Sequence, residues 1–166
     1  MTYTATPTFA TGNVASVNAV ANTIASIKQL TTDEQLGLLW ILYKNMGRSI
    51  TPAAPGAARL QFAEGLLEQV KAMPQQLQLQ FMRDLVEKKN TSETRAYGVL
   101  SSNTKLAFWY QLAVLMDAGT VIPVPSYYKL SDAATRVFGQ ISKLEFGQQI
   151  TVMRQMVVNM GVDPLA

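Results

Sequence analysis

The chain has 166 residues, a formal net charge of +3 and only 15% charged residues. It contains no cysteine and no histidine. This excludes disulfides, thiol redox chemistry, Cys- or His-based metal sites and a Ser-His-Asp triad. Nor is there a basic stripe of the kind a nucleic-acid binder carries: Lys88-Lys89 is the longest basic cluster and reads as the solvated end of a helix.

The first residues, MTYTATPTFATGNVAS, lack the basic start and apolar stretch of a secretory signal. They read as a polar arm over 1–17, ahead of a helical domain over 18–166. An early helix is expected around Val17 to Gln29. Thr31-x-x-Glu34 is a capping box, with each side chain able to answer the other's backbone N–H. The helix it opens carries Leu36, Leu39, Trp40, Tyr43 and Met46 on one face, and Gly47 is expected to stop it. ITPAAPG, from Ile50 to Gly56, is a Pro-rich break.

A second amphipathic stretch runs through Leu60, Ala63, Leu67 and Val70. Pro74 suits the first turn of a following helix whose face holds Leu77, Phe81, Met82 and Leu85. A short helix is expected over Glu93 to Val99. Ser102 is the expected cap of a long helix presenting Leu106, Trp109, Tyr110, Ala113 and Met116, ended by Gly119. The two prolines of VIPVPS, residues 121–126, favour extended backbone. Final helices are expected after Ser131 and Gly147, the last carrying Ile150, Met153, Val157 and Met160 up to Gly161. No stretch shows strand alternation, so the fold class is all-α.

Hydrophobic content is 48%, yet no run approaches the roughly 18 apolar residues of a membrane span. Without a targeting segment or cysteine, the expected location is cytoplasmic. The acidic residues are dispersed, no metal-ligand spacing occurs, and Gly56 and Gly65 stand alone rather than in a phosphate-binding loop. The inventory therefore argues against an enzyme. The distinctive set is aromatic and thioether. Trp40 and Tyr43 share a helix face, the rings of Trp109 and Tyr110 splay by about 100°, and Met82 and Met116 are soft and polarizable. That spacing fits a packed core and a ligand-lined tunnel equally.

Five segments occur in a telling order: LGLLWILYKNMG, ITPAAPGAA, KLAFWYQLAVLMDAG, VIPVPSYYKLS and GQQITVMRQMVVNMGVDP. From about residue 18 onward the chain resembles the N-terminal carotenoid-binding domain of the cyanobacterial orange carotenoid protein. No counterpart of that protein's second, mixed α/β domain is found, so the resemblance points to a stand-alone helical carotenoid protein. It implies two interleaved four-helix bundles with a keto-carotenoid, such as canthaxanthin, echinenone or 3'-hydroxyechinenone, threaded between them.

Under that resemblance Trp40, Tyr43 and Trp109 match the positions that sandwich one end ring. Tyr110, Met82, Met116, Val124 and Tyr128 match slot-lining positions. Leu36, Leu39, Leu60, Leu106, Ala113, Ile150 and Val157 would complete the walls, and bulk at Gly56 or Ala113 would block the rod. Arg154 matches an arginine of the domain interface and of phycobilisome docking. The implied function is photoprotection by singlet-oxygen quenching. Its alternatives are a phycobilisome-docking excitation quencher and a carrier exchanging pigment with a C-terminal-domain homologue. The expected protein is a monomer, with any antenna association at the thylakoid surface.

Overall fold

A computed structural model describes residues 7–50 and 61–165, with side chains over 18–46 and 61–165. Among the described residues the chain forms α1 (Pro7–Lys28), α2 (Thr32–Ile50), α3 (Gln61–Ala72), α4 (Gln75–Glu87), α5 (Ser92–Gly98), α6 (Ser102–Asp117), α7 (Asp132–Ser142) and α8 (Phe146–Val158), and no strand. None of these helices is long and apolar enough to cross a membrane. Helix α2 packs against α4 and α6 on one side and α7 on the other, while α1, α7 and α8 pack together and α3 to α6 form the second group. Sharing α2, and joining α6 to α8, interleaves the two groups. The sequence prepares this, because the middle of α2, from Leu36 to Tyr43, has no polar face: Leu38 and Leu42 are fully buried beside Leu39 and Tyr43. Helix α6 is buried without a break from Thr104 to Trp109, as a central helix must be.

Helix ends follow local chemistry. The Thr31 N–H donates to Glu34 Oε1 (2.9 Å) and the Glu34 N–H to Thr31 Oγ1 (3.2 Å), the reciprocal box expected before α2. Ser131 caps α7, accepting from the Ala134 N–H at 3.1 Å. Gly119 and Gly161 take positive φ, 79° and 78°, just beyond α6 and α8.

Several expectations shift. The first helix begins at Pro7, so residues 7–17 of the expected arm are helical. Helix α2 runs through Gly47 to Ile50, since glycine permits a left-handed turn without requiring one. Pro74 sits one position before α4 as its cap, Ser101 rather than Ser102 caps α6, and Glu145 precedes α8, leaving Gly147 inside it. On α4, Leu77 is exposed and Gln78 is buried instead. The Gln78 amide donates to the Val70 carbonyl (2.9 Å) and accepts from the Ile122 N–H (2.7 Å), satisfying two backbone groups that apolar leucine would strand.

The segment after α8 folds back on α5. The Gly161 N–H donates to Leu85 O (2.9 Å) and the Val162 N–H to Thr94 O (3.1 Å). A Cβ on Gly98 would lie 1.9 Å from the Val162 carbonyl oxygen, a backbone atom that cannot swing aside. Gly98→Ala is therefore expected to lower stability by about 1–3 kcal/mol, as overpacking does, read as a fall of several degrees in Tm by circular dichroism.

Candidate functional site

The cavity of interest, about 330 Å³, lies between α2, α4, α6 and the extended loop that follows α6. From α2 it takes Asp33, Leu36, Gly37, Leu39, Trp40 and Tyr43, which recur every three or four residues along one stripe. Helix α4 adds Leu79, Met82 and Arg83, and α6 adds Trp109, Ala113 and Met116. The loop closes it with Ile122, Pro123, Val124, Pro125 and Tyr128. From Asp33 to Tyr43 the stripe is about 15 Å long at the helical rise.

The aromatic walls are held by specific contacts. Trp109 is 5% exposed, and its indole N–H donates to the Tyr97 hydroxyl at 3.0 Å. Tyr97 in turn donates to the Val157 carbonyl at 2.5 Å. Phe108 stands edge-on to Trp109, Tyr97 and Phe81, with ring centroids at 6.3, 5.5 and 6.3 Å. The Tyr43 hydroxyl donates to the Leu106 carbonyl at 2.7 Å, tying α2 to α6 beneath the cavity. Trp40 is half-buried, with Lys44 Nζ 5.5 Å from its ring centroid. The loop is pinned at its start by Gln78 and at its end by Tyr128, whose hydroxyl fills the place of the missing Cβ of Gly37. A Cβ there would lie 1.8 Å from that oxygen.

Charge is confined to the rim. Arg83 forms a two-point pair with Asp33, Nε to Oδ1 at 2.8 Å and a terminal nitrogen to Oδ2 at 3.0 Å. The guanidinium hydrogen bond holds the Asp33 carboxyl below its usual range. Tyr128 is pushed up by burial and then by the Asp33 and Glu34 carboxylates nearby. Burial pushes Tyr43 and Tyr97 well above an ordinary phenol, with the Trp109 hydrogen bond pulling weakly the other way on Tyr97. Among the described residues no cluster of acidic side chains could hold a metal ion.

Of the residues singled out from sequence, Leu36, Leu39, Trp40, Tyr43, Met82, Trp109, Ala113, Met116, Val124 and Tyr128 meet around this one cavity. Four others do not line it. Leu106 is buried in the core and offers the cavity only its carbonyl partner for Tyr43. Tyr110, one residue beyond Trp109, turns to the adjoining face of α6 and packs half-buried on the core. Ile150 and Val157 belong to α8, which packs on α1 and α6 and faces the core. Gly56 and Leu60 lie outside the described residues. Arg154 is half-buried on α8, away from the cavity. Sequence reasoning missed Asp33, Gly37, Leu79, Arg83 and Ile122, as well as Tyr97 behind Trp109. Asp33 and Arg83 fall on the apolar stripes of their helices, a placement visible from spacing alone.

Residues 13–163 match the family described as orange carotenoid protein, N-terminal. The chain belongs to that family. A relative from Nostoc sp. strain PCC 7120, an orange carotenoid-binding domain-containing protein, is 58% identical over 90% of this chain and 87% of its own length. The orange carotenoid-binding protein of Synechocystis sp. is 46% identical over 90% of this chain but only 47% of its own length. This chain thus spans about half the length of that relative. Among solved structures, the orange carotenoid protein of Anabaena (Nostoc) sp. PCC 7120 binding canthaxanthin superposes with a TM-score of 0.81 at 45% identity. That match covers 89% of this chain and 48% of the other. The red carotenoid protein of the same organism, also binding canthaxanthin, gives 0.75 at 41% identity, over 86% and 97% of the two chains. The interleaved all-helical architecture is therefore the family's.

The buried phenols set an alkaline limit. Each ionises near pH 10 in the unfolded chain but resists ionisation in the native one, so their stabilisation is complete below that pH. It is lost as pH rises beyond, by about 1.4 kcal/mol per pH unit for each group. Tyr97→Phe is expected to reduce the alkaline slope of unfolding free energy by that amount, measured by urea titrations between pH 9 and 11.5. Lys105, which burial pushes down, contributes with the opposite sign and is common to both proteins.

Proposed function

We propose that this chain is a carotenoid-binding photoprotective protein that holds one keto-carotenoid and quenches singlet oxygen. The observation that carries this reading is the cavity itself: two indoles, two phenols and two thioethers around an apolar space, with its charged pair at the rim. Such a lining suits a ligand that is flat, polarizable and almost devoid of hydrogen-bonding groups. A carotenoid is such a ligand, a rod of roughly 25–30 Å, the length of a 17–20-residue helix. A stripe of about 15 Å would take one end ring and the adjoining polyene. The canthaxanthin bound by the family's solved members supports the choice of pigment.

When bound, the pigment supplies the low triplet level that accepts energy from singlet oxygen. The protein's part is to solubilise, orient and tune it. Trp40, Tyr43 and Trp109 would hold the ring, Met82 and Met116 would line the polyene, and the Pro123–Pro125 loop would exclude water.

A second reading, docking on the phycobilisome antenna, draws support from Arg154, whose buried Nε has no hydrogen-bond partner among the described residues. The half-buried side chain could pair with a docked acidic surface through the terminal nitrogens of its guanidinium. Holoprotein carrying Arg154→Leu should then quench isolated phycobilisome fluorescence less than the parent; equal or absent quenching in both would remove this reading. Exchange of pigment with a C-terminal-domain homologue is a third, tested by spectral transfer on mixing.

Protein purified from a carotenoid-producing host should be coloured, with a visible band that survives gel filtration; a colourless preparation would overturn the proposal. Trp40→Ala is the discriminating variant. Trp40 is half-buried whereas Trp109 is a bonded core residue, so Trp40→Ala should cut pigment occupancy severalfold while largely sparing Tm.

A further inference from the structure

Nothing in a hydrocarbon-binding cavity requires a charged pair on its rim, yet Asp33 and Arg83 both line this one. Their placement is built. Asp33 lies on the same stripe of α2 as Gly37 and Trp40, and Arg83 follows Leu79 and Met82 on the cavity side of α4. Both are solvent-accessible, 63% and 36% by side chain, which puts them at the open end. The carboxylate grips Nε and one terminal nitrogen of the guanidinium. A guanidinium has five N–H donors and no acceptor, so the other terminal nitrogen keeps two donors that this pairing does not use. The fork is rigid once its two-point bond is made, and those donors are held in a fixed direction.

We propose that Arg83, clamped by Asp33, is a specificity-determining residue that selects a carotenoid whose rim-side ring bears a ketone. The inference rests on the carotenoid-binding reading given above. The chemistry is one of matched groups. A hydrocarbon ring laid against the rim strips water from the guanidinium and returns no acceptor, leaving donors unsatisfied. A ring ketone is acceptor-only and meets a donor-only partner. A ring hydroxyl meets it less well, since its own proton must also be placed. The ketone oxygen therefore decides which rod is taken, and for a pigment with a ketone on one ring only it also fixes which way along the cavity that rod lies.

The test is competitive loading of the full chain. Apoprotein is offered an equimolar mixture of canthaxanthin, with ring ketones, and β-carotene, with none; bound pigment is extracted and quantified. Wild type is expected to favour canthaxanthin by roughly tenfold, the scale of one charge-assisted hydrogen bond. Arg83→Met is expected to lose most of that preference, read as the ratio of the two pigments it binds whatever the total taken up. A second readout is the visible band of each pure complex. Removing the guanidinium should shift the canthaxanthin band to shorter wavelength and leave the β-carotene band unmoved. Loss of a merely structural bond between α2 and α4 would not distinguish the two pigments. Arg83→Gln is carried through both measurements, so a folding failure of the methionine variant leaves the test intact. An unchanged pigment ratio with unchanged bands in a coloured, folded variant overturns the role of Arg83 alone. A wild-type protein that takes up neither pigment overturns the carotenoid reading and this inference with it.

Discussion

The indole N–H of Trp109 is buried where no water reaches it, and it must donate to something. It donates to the hydroxyl of Tyr97, whose own O–H donates to the carbonyl of Val157. This two-bond chain runs from the cavity wall, through α5, to the last turn of α8. An unmet donor at this depth would cost about 1–3 kcal/mol, so the three elements are fixed relative to one another. Phe108, set edge-on between both rings, removes the remaining freedom of the indole. The wall of the cavity is thus positioned from behind by residues that do not line it.

The same logic repeats on the other walls. Tyr43 is anchored to a backbone carbonyl of α6, and the proline-bearing loop is anchored to α4 through Gln78. In each case a polar tip is spent on the scaffold and an apolar body is left facing the cavity. Gly37 acts by subtraction, since its missing side chain makes room for the tip of Tyr128. The result is a space whose shape is set before any ligand arrives, which limits the ordering cost of binding.

Much of this is legible in sequence where the signal is local. Thr31 and Glu34 form their box, Ser131 caps its helix, and Gly119 and Gly161 turn left-handed where the helices end. Periodicity also gathered most of the cavity lining onto α2 and α6. What failed was long-range. Asn-Met-Gly occurs twice, and only the second glycine ends its helix, because Gly161 is drawn against Leu85 and Tyr97 by packing. Leu77 and Gln78 exchange roles because the backbone of Val70 and Ile122 needs an amide. Ile150 and Val157 lie on α8, outside the lining of this cavity. The family resemblance identified the ligand class for reasons that spacing could not supply, and it was silent on Arg83, which owes its interest to the position of Asp33.

The rim pair gives the cavity two unlike ends. At one end Tyr43 and Trp109 present aromatic faces with their polar atoms already occupied; at the other stands an ion pair. A pigment with identical rings has a centre of symmetry in solution and no permanent dipole. Seated here, its two halves would feel different potentials, and that symmetry would be broken by the protein alone. The conjugated electrons would then be biased along the rod, and electronic transitions that symmetry forbids in the free molecule would gain intensity. A protein can in this way alter what a dye does with light.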